Sequence, residues 1–119
     1  MTDLRINDYL DHIEQAAIEV LHFVEGHTLQ TFSADRRTQQ AVMMSLIVIG
    51  EATARIMTSD PDFIATYPEI PWQQIRGMRN RMAHGYFDIN LEIVWTTLQR
   101  AIPELLVQIQ TLKKSFQTP

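Results

Sequence analysis

With 119 residues, 45% hydrophobic and 20% charged, the chain has room for one domain with its own core and is too apolar to stay unfolded. It has no cysteine, which excludes disulfides, thiolate catalysis and cysteine-bound zinc; a chain of this kind suits a reducing compartment, and we expect a cytoplasmic protein. The net charge of −4 speaks against a broad nucleic-acid surface, which phosphate-dominated binding would make basic.

The first apolar series runs Ile6, Tyr9, Leu10, Ile13, Ala16, Ala17, Val20, Leu21 and Val24. Its steps of three and one predict a helix of about five turns. Asp3 can cap its start and Gly26 its end. The opening residues are charged and carry no apolar stretch of the kind a secretory signal needs. A second helix is predicted from Ser33 or Asp35 to about Met57, and its centre, residues 41–49, is apolar nearly all round. The run 41–50 is interrupted by Ser45 and is about half the ~20 residues of a membrane span, so no membrane contact is expected. Polar punctuation at 59–62 and 67–71 brackets a short helical piece around Phe63. A third helix should begin at Pro71-Trp72 and stop near His84, before the left-handed terminator Gly85. Asn90 suits the cap of the last helix, which carries Leu91, Val94, Trp95, Leu98, Ile102, Leu105, Leu106 and Ile109. Pro103 should bend or split that helix, and residues 113–119 should fray, with 115–119 as a tail. No alternating strand pattern or repeat is present. The expected architecture is all-α, a single domain over 1–119 forming a bundle of four to five helices.

The chemistry concentrates in Arg79-Asn80-Arg81-Met82-Ala83-His84-Gly85-Tyr86. Between Glu69 and Asp88 no residue is acidic, while Arg76, Arg79 and Arg81 all fall inside; this is a local +3 on a chain of −4, so the rest carries −7. A basic island on an acidic body suggests a confined anion site. Arg79 supplies a permanent, bidentate cation, His84 a proton shuttle and Tyr86 a phenol. These can cleave a phosphodiester without a metal: a base takes the 2′-hydroxyl proton, an acid protonates the leaving 5′-oxygen, and positive charge steadies the phosphorane. Arg79 and His84, five apart, lie about 140° past a full turn of one straight helix, whereas Arg76, Asn80 and His84 form a row. Either the imidazole swings out at the helix end, or Arg79 of one copy meets His84 of another across a two-fold axis. Asn80 could orient His84 or bind the phosphate. Glu51 sits beside the most apolar run, where it could pair with an arginine of the motif, orient Arg55, or face solvent. Glu19 and His22 make one Glu-x-x-His pair, half of what a di-metal bundle site needs, so no metal or other cofactor is expected.

The pattern Arg79, four residues, His84, one residue, Tyr86 resembles the signature of the HEPN superfamily, and Asn80 matches the polar residue that often follows the arginine. The wider chain is similar to its HepT-type toxins in Asp8-Tyr9-Leu10-Asp11-His12-Ile13, in Ile49-Gly50-Glu51-Ala52, and in Ile75-Arg76-Gly77-Met78 leading into the motif, roughly over residues 3–112. The resemblance implies a metal-independent endoribonuclease acting as a homodimer, with Arg79 and His84 catalytic and Asn80, Arg76, Tyr86 and Glu51 supporting. It implies a toxin silenced by a minimal nucleotidyltransferase antitoxin of the MntA type, which attaches AMP to Tyr86. The alternative is a non-catalytic adaptor, a helical nucleotide-binding subunit of such a nucleotidyltransferase.

Overall fold

A computed structural model describes residues 2–84 and 89–117, and among these it is helical with no strand. Helix α1 (Thr2–Phe23) buries Ile6, Leu10, Ile13, Ala17 and Val20 along one stripe. The side chain of Asp3, the expected cap, lies outside the described residues. Gly26, at φ +81°, adopts the left-handed backbone that ends this segment.

A short helix α2 (Leu29–Ser33) follows that the apolar periodicity does not reveal. Its signal is a capping box in which Thr28 and Thr31 satisfy each other's backbone donors, with Thr31 in place of the usual glutamate. It carries Phe32 into the core against Trp95, with ring centroids 5.4 Å apart. Asp35 then accepts from the Thr38 backbone and starts α3 (Arg36–Ser59), which ends two residues beyond the Met57 that the periodicity predicts.

Helix α3 is the axis of the fold. Val42, Leu46, Ile49 and Ile56 are buried, with α1 on one side and α5 on the other. Its two buried hydroxyls, Ser45 and Thr53, donate to the carbonyls of Ala41 and Ile49 one turn back, so they add no unsatisfied polar group. By length and composition α3 could cross a membrane, with mean hydropathy 1.5 over its best 18 residues; 44% of that window is buried within the bundle, as suits a core helix.

Helix α4 (Pro61–Thr66), capped by Asp60, sets Phe63 beside Tyr67 and Trp72. The Trp72 indole donates to the Tyr67 carbonyl at 3.0 Å and fixes the entry to α5 (Trp72–His84). Asn90 accepts from the Glu92 and Ile93 backbones and starts α6 (Leu91–Thr96). Pro103 does interrupt the last helix. A five-residue π turn (Thr97–Ala101), closed by Ile102 N–H to the Thr97 carbonyl, absorbs the lost donor and ring clash before α7 (Ile102–Gln117) resumes. Contrary to the expected fraying from residue 113, α7 stays helical to Gln117; Lys113 binds both Asp11 and Glu14 of α1 and ties the two helices together.

Candidate active site

The arginine of the motif is positioned by a glycine on the neighbouring helix. A β-carbon at Gly50 would lie 2.9 Å from Arg79 Cγ and 3.1 Å from Arg79 Cα, and closer still to its Cβ. Only hydrogen fits there, so α3 and α5 cross at backbone contact. That approach brings the next residue of α3, Glu51, onto the motif. Arg79 donates from Nη1 to Glu51 Oε1 at 2.6 Å, while Arg55 donates from Nε to Glu51 Oε2 at 3.0 Å. Of the three possibilities open for Glu51 in the sequence, pairing with the motif and orienting Arg55 occur together. Arg55 first, and Arg79 after it, hold the Glu51 carboxyl below its ordinary value.

The Arg79 side chain is only 25% exposed, and its Nε is buried without a hydrogen-bond partner. With one Nη bonded to Glu51, the other terminal nitrogen carries the donors left for an incoming anion. Arg76 is half-buried, while Asn80 and His84 are exposed, on the row that the four-residue spacing lays out. None of these three makes a side-chain hydrogen bond or ion pair with another described residue. Helix α5 remains continuous to His84, so Arg79 and His84 stand 140° apart around it and about 7.5 Å apart along it, with no hydrogen bond between them. The two side chains therefore leave α5 in different directions. Gly85 and Tyr86, the expected terminator and motif phenol, lie outside the described residues. Arg81 shares a face with His84 and lines an apolar cleft of about 390 Å³ between α5 and α6–α7.

The family described as Ribonuclease HepT-like matches residues 6–112. The chain belongs to the HepT-like ribonuclease family. A protein of Thermococcus cleftensis named "Probable ribonuclease HepT" is 35% identical over 107 residues, covering 90% of this chain and 94% of that protein. Two others, provisionally named as RNases, are similar over the same span. One from Methanocaldococcus jannaschii is 32% identical, covering 94% of this chain and 90% of its own. One from Caldanaerobacter subterraneus is 34% identical, covering 87% and 90%. No solved structure matches the chain.

Two further features of this HepT-like chain were not singled out by its sequence. Tyr9 and His12 of α1 meet Glu51 and Arg55 of α3 around a cleft of about 340 Å³ floored by Ile47, Val48 and Ala52. Beyond Val48 the α1–α3 groove continues between Ala16, Glu19 and Phe23 on one side and Ala41, Met44 and Ser45 on the other. Phe23, Met44 and Val48 are all exposed there. The signal was present in part. On α1 the face steps Tyr9, His12, Ala16, Glu19, Phe23, and on α3 Ala41, Met44, Val48, Glu51, Arg55, all by threes and fours. Which residue of one stripe meets which of the other depends on the packing register of two distant helices.

Proposed function

We propose that the protein is a metal-independent endoribonuclease toxin that works as a two-fold dimer. Arg79 grips the scissile phosphate, and His84 serves as the proton-transfer group. In the reaction the 2′-oxygen attacks phosphorus and gives its proton to a base. The bond to the 5′-oxygen then breaks, and that oxygen receives a proton from an acid. One histidine per chain, set 140° from Arg79, suits a cleft where two copies of α5 each contribute. The far end of the α1–α3 groove, where Phe23 and Met44 are exposed, is the face we assign to the second copy. Asn80 and Arg76, on the His84 row, add to the field that holds the phosphate, and Glu51 fixes Arg79. The observation that carries this reading is the Gly50 crossing, which spends a residue without a side chain to lock a guanidinium in place while leaving part of it free.

We further propose that a minimal nucleotidyltransferase of the MntA type neutralises the toxin by attaching AMP to Tyr86, putting bulk and negative charge into a cationic cleft. The wild-type protein should cut RNA in EDTA and arrest growth when expressed alone; His84→Ala should do neither, and Arg79→Ala should lose cleavage while keeping the dimer. Harmless wild type that leaves RNA intact would instead favour the adaptor reading. An unmodified Tyr86 peptide after co-expression with the nucleotidyltransferase would refute the adenylylation.

A further inference from the structure

The Tyr9–Arg55 end of the α1–α3 groove has no role in the reaction above, yet it shares a carboxylate with it. Glu51 accepts from Arg79 with one oxygen and from Arg55 with the other, so the two guanidiniums stand on either side of a single side chain. Two cations and one anion leave a local +1 directly beside the phosphate clamp. Arg55 is 62% exposed and opens onto the cleft of about 340 Å³, a size in the range of small-ligand sites. Tyr9 forms one wall of that cleft, and Ile47, Val48 and Ala52 are apolar. His12 stands exposed one turn of α1 further on. A flat amphipathic ring, apolar floor and cation together make a platform for a stacked base and its phosphate.

We propose that Tyr9, His12 and Arg55 form a nucleotide subsite of the ribonuclease, holding the RNA residue next to the phosphate that Arg79 clamps. Tyr9 stacks on the base, Arg55 contacts the neighbouring phosphate, and His12 adds a donor at the rim. The Phe23–Met44 end of the groove is left for the second copy, while the Tyr9–Arg55 end stays open beside the motif. The inference rests on the ribonuclease reading and fails separately from it.

The test uses Tyr9→Ala, Tyr9→Phe and Arg55→Gln, each made in the wild type for kinetics and in a His84→Ala background for binding. Affinity for a fluorescein-labelled single-stranded RNA oligonucleotide is measured by anisotropy over a salt series. Tyr9→Ala should weaken binding and raise KM about tenfold, while Tyr9→Phe, which keeps the ring, stays near wild type. Arg55→Gln should weaken binding several-fold and flatten the slope of log affinity against log salt by about one. For both, kcat at saturating RNA should stay within about threefold of wild type. If the wild type cleaves RNA but Tyr9→Ala and Arg55→Gln leave KM and salt slope unchanged, the subsite is overturned and the ribonuclease stands. A fall in kcat without a change in KM also overturns it, because Arg55 then acts only by positioning Arg79 through Glu51. Should Tyr9→Ala unfold, Arg55→Gln decides alone. A wild type that neither cleaves nor binds RNA defeats the underlying reading, and the subsite with it.

Discussion

Replacing Gly50 with alanine separates two effects that pull in opposite directions. In an isolated helix the change is favourable by about 1 kcal/mol, because glycine loses more backbone freedom on folding than alanine. Here the new methyl would meet Arg79 Cγ at 2.9 Å and Cα at 3.1 Å, where ordinary carbon contacts lie near 3.5–4.0 Å. Those atoms, and the still closer Arg79 Cβ, belong to the base of a side chain on a packed helix and cannot swing aside, so α3 and α5 must part by more than about 1 Å. Overpacking costs about 1–3 kcal/mol, and an overlap this deep belongs at about 2–3, which leaves a net loss of about 1–2 kcal/mol after the helix-propensity gain. At about 4 °C per kcal/mol for a domain of this size, Tm should fall by about 4–8 °C, read by circular dichroism. The effect on cleavage should be larger, about a hundredfold, because displacing a catalytic group by 1 Å costs that much. Gly77→Ala is the control: its methyl meets only Arg81 Nη1, at 3.6 Å, so it should gain the helix-propensity term and raise Tm. If Gly50→Ala is stabilising like Gly77→Ala and cleavage survives, the contact does not hold the site and the reasoning is wrong.

The Glu51 carboxyl is depressed in the folded state, so its stabilising contribution is present above the ordinary value of 4.5 and disappears as the pH falls through the folded value. Urea midpoints of the wild type should therefore drop more steeply below about pH 4.5 than those of Glu51→Gln, and parallel curves would show that the shared carboxylate adds nothing. The same variant should lower kcat, having lost the brace on Arg79, without raising KM for RNA, since the local charge rises from +1 to +2; a raised KM would place Glu51 in substrate binding instead. Met44→Asp changes an exposed side chain and should alter folding stability by no more than about 0.5 kcal/mol. Light scattering should nevertheless show half the wild-type mass, with cleavage lost; an unchanged mass would move the dimer seam elsewhere.

Periodicity and caps made most of the fold legible. Asp35 and Asn90 mark the starts of α3 and α6, and Pro103 does break the last helix, although the π turn that accommodates it has no signature beyond the proline itself. Helix α2 escaped because five residues are too few for a stripe, and its threonine capping box differs from the usual glutamate form. In the motif, the row of Arg76, Asn80 and His84 followed from spacing alone. Gly50 read in the sequence only as half of a glycine–glutamate pair; that its missing side chain admits Arg79 is a tertiary fact. Tyr9 and Arg55, 46 positions apart, converge only through the register of α1 against α3.

For the proposed dimer, the spacing of the motif carries an argument of its own. With three residues between arginine and histidine, the two would share a row, and one protomer could present both to one phosphate. Four residues rotate the imidazole away, and the structure keeps α5 continuous to His84, so no break in the helix brings it back. Meanwhile Arg79 is bound to α3 by Glu51 and cannot follow it round. A straight helix and a tethered arginine leave a second copy of α5 as the simplest source of a histidine opposite that guanidinium, which is why the exposed α1–α3 groove and the motif belong to one problem.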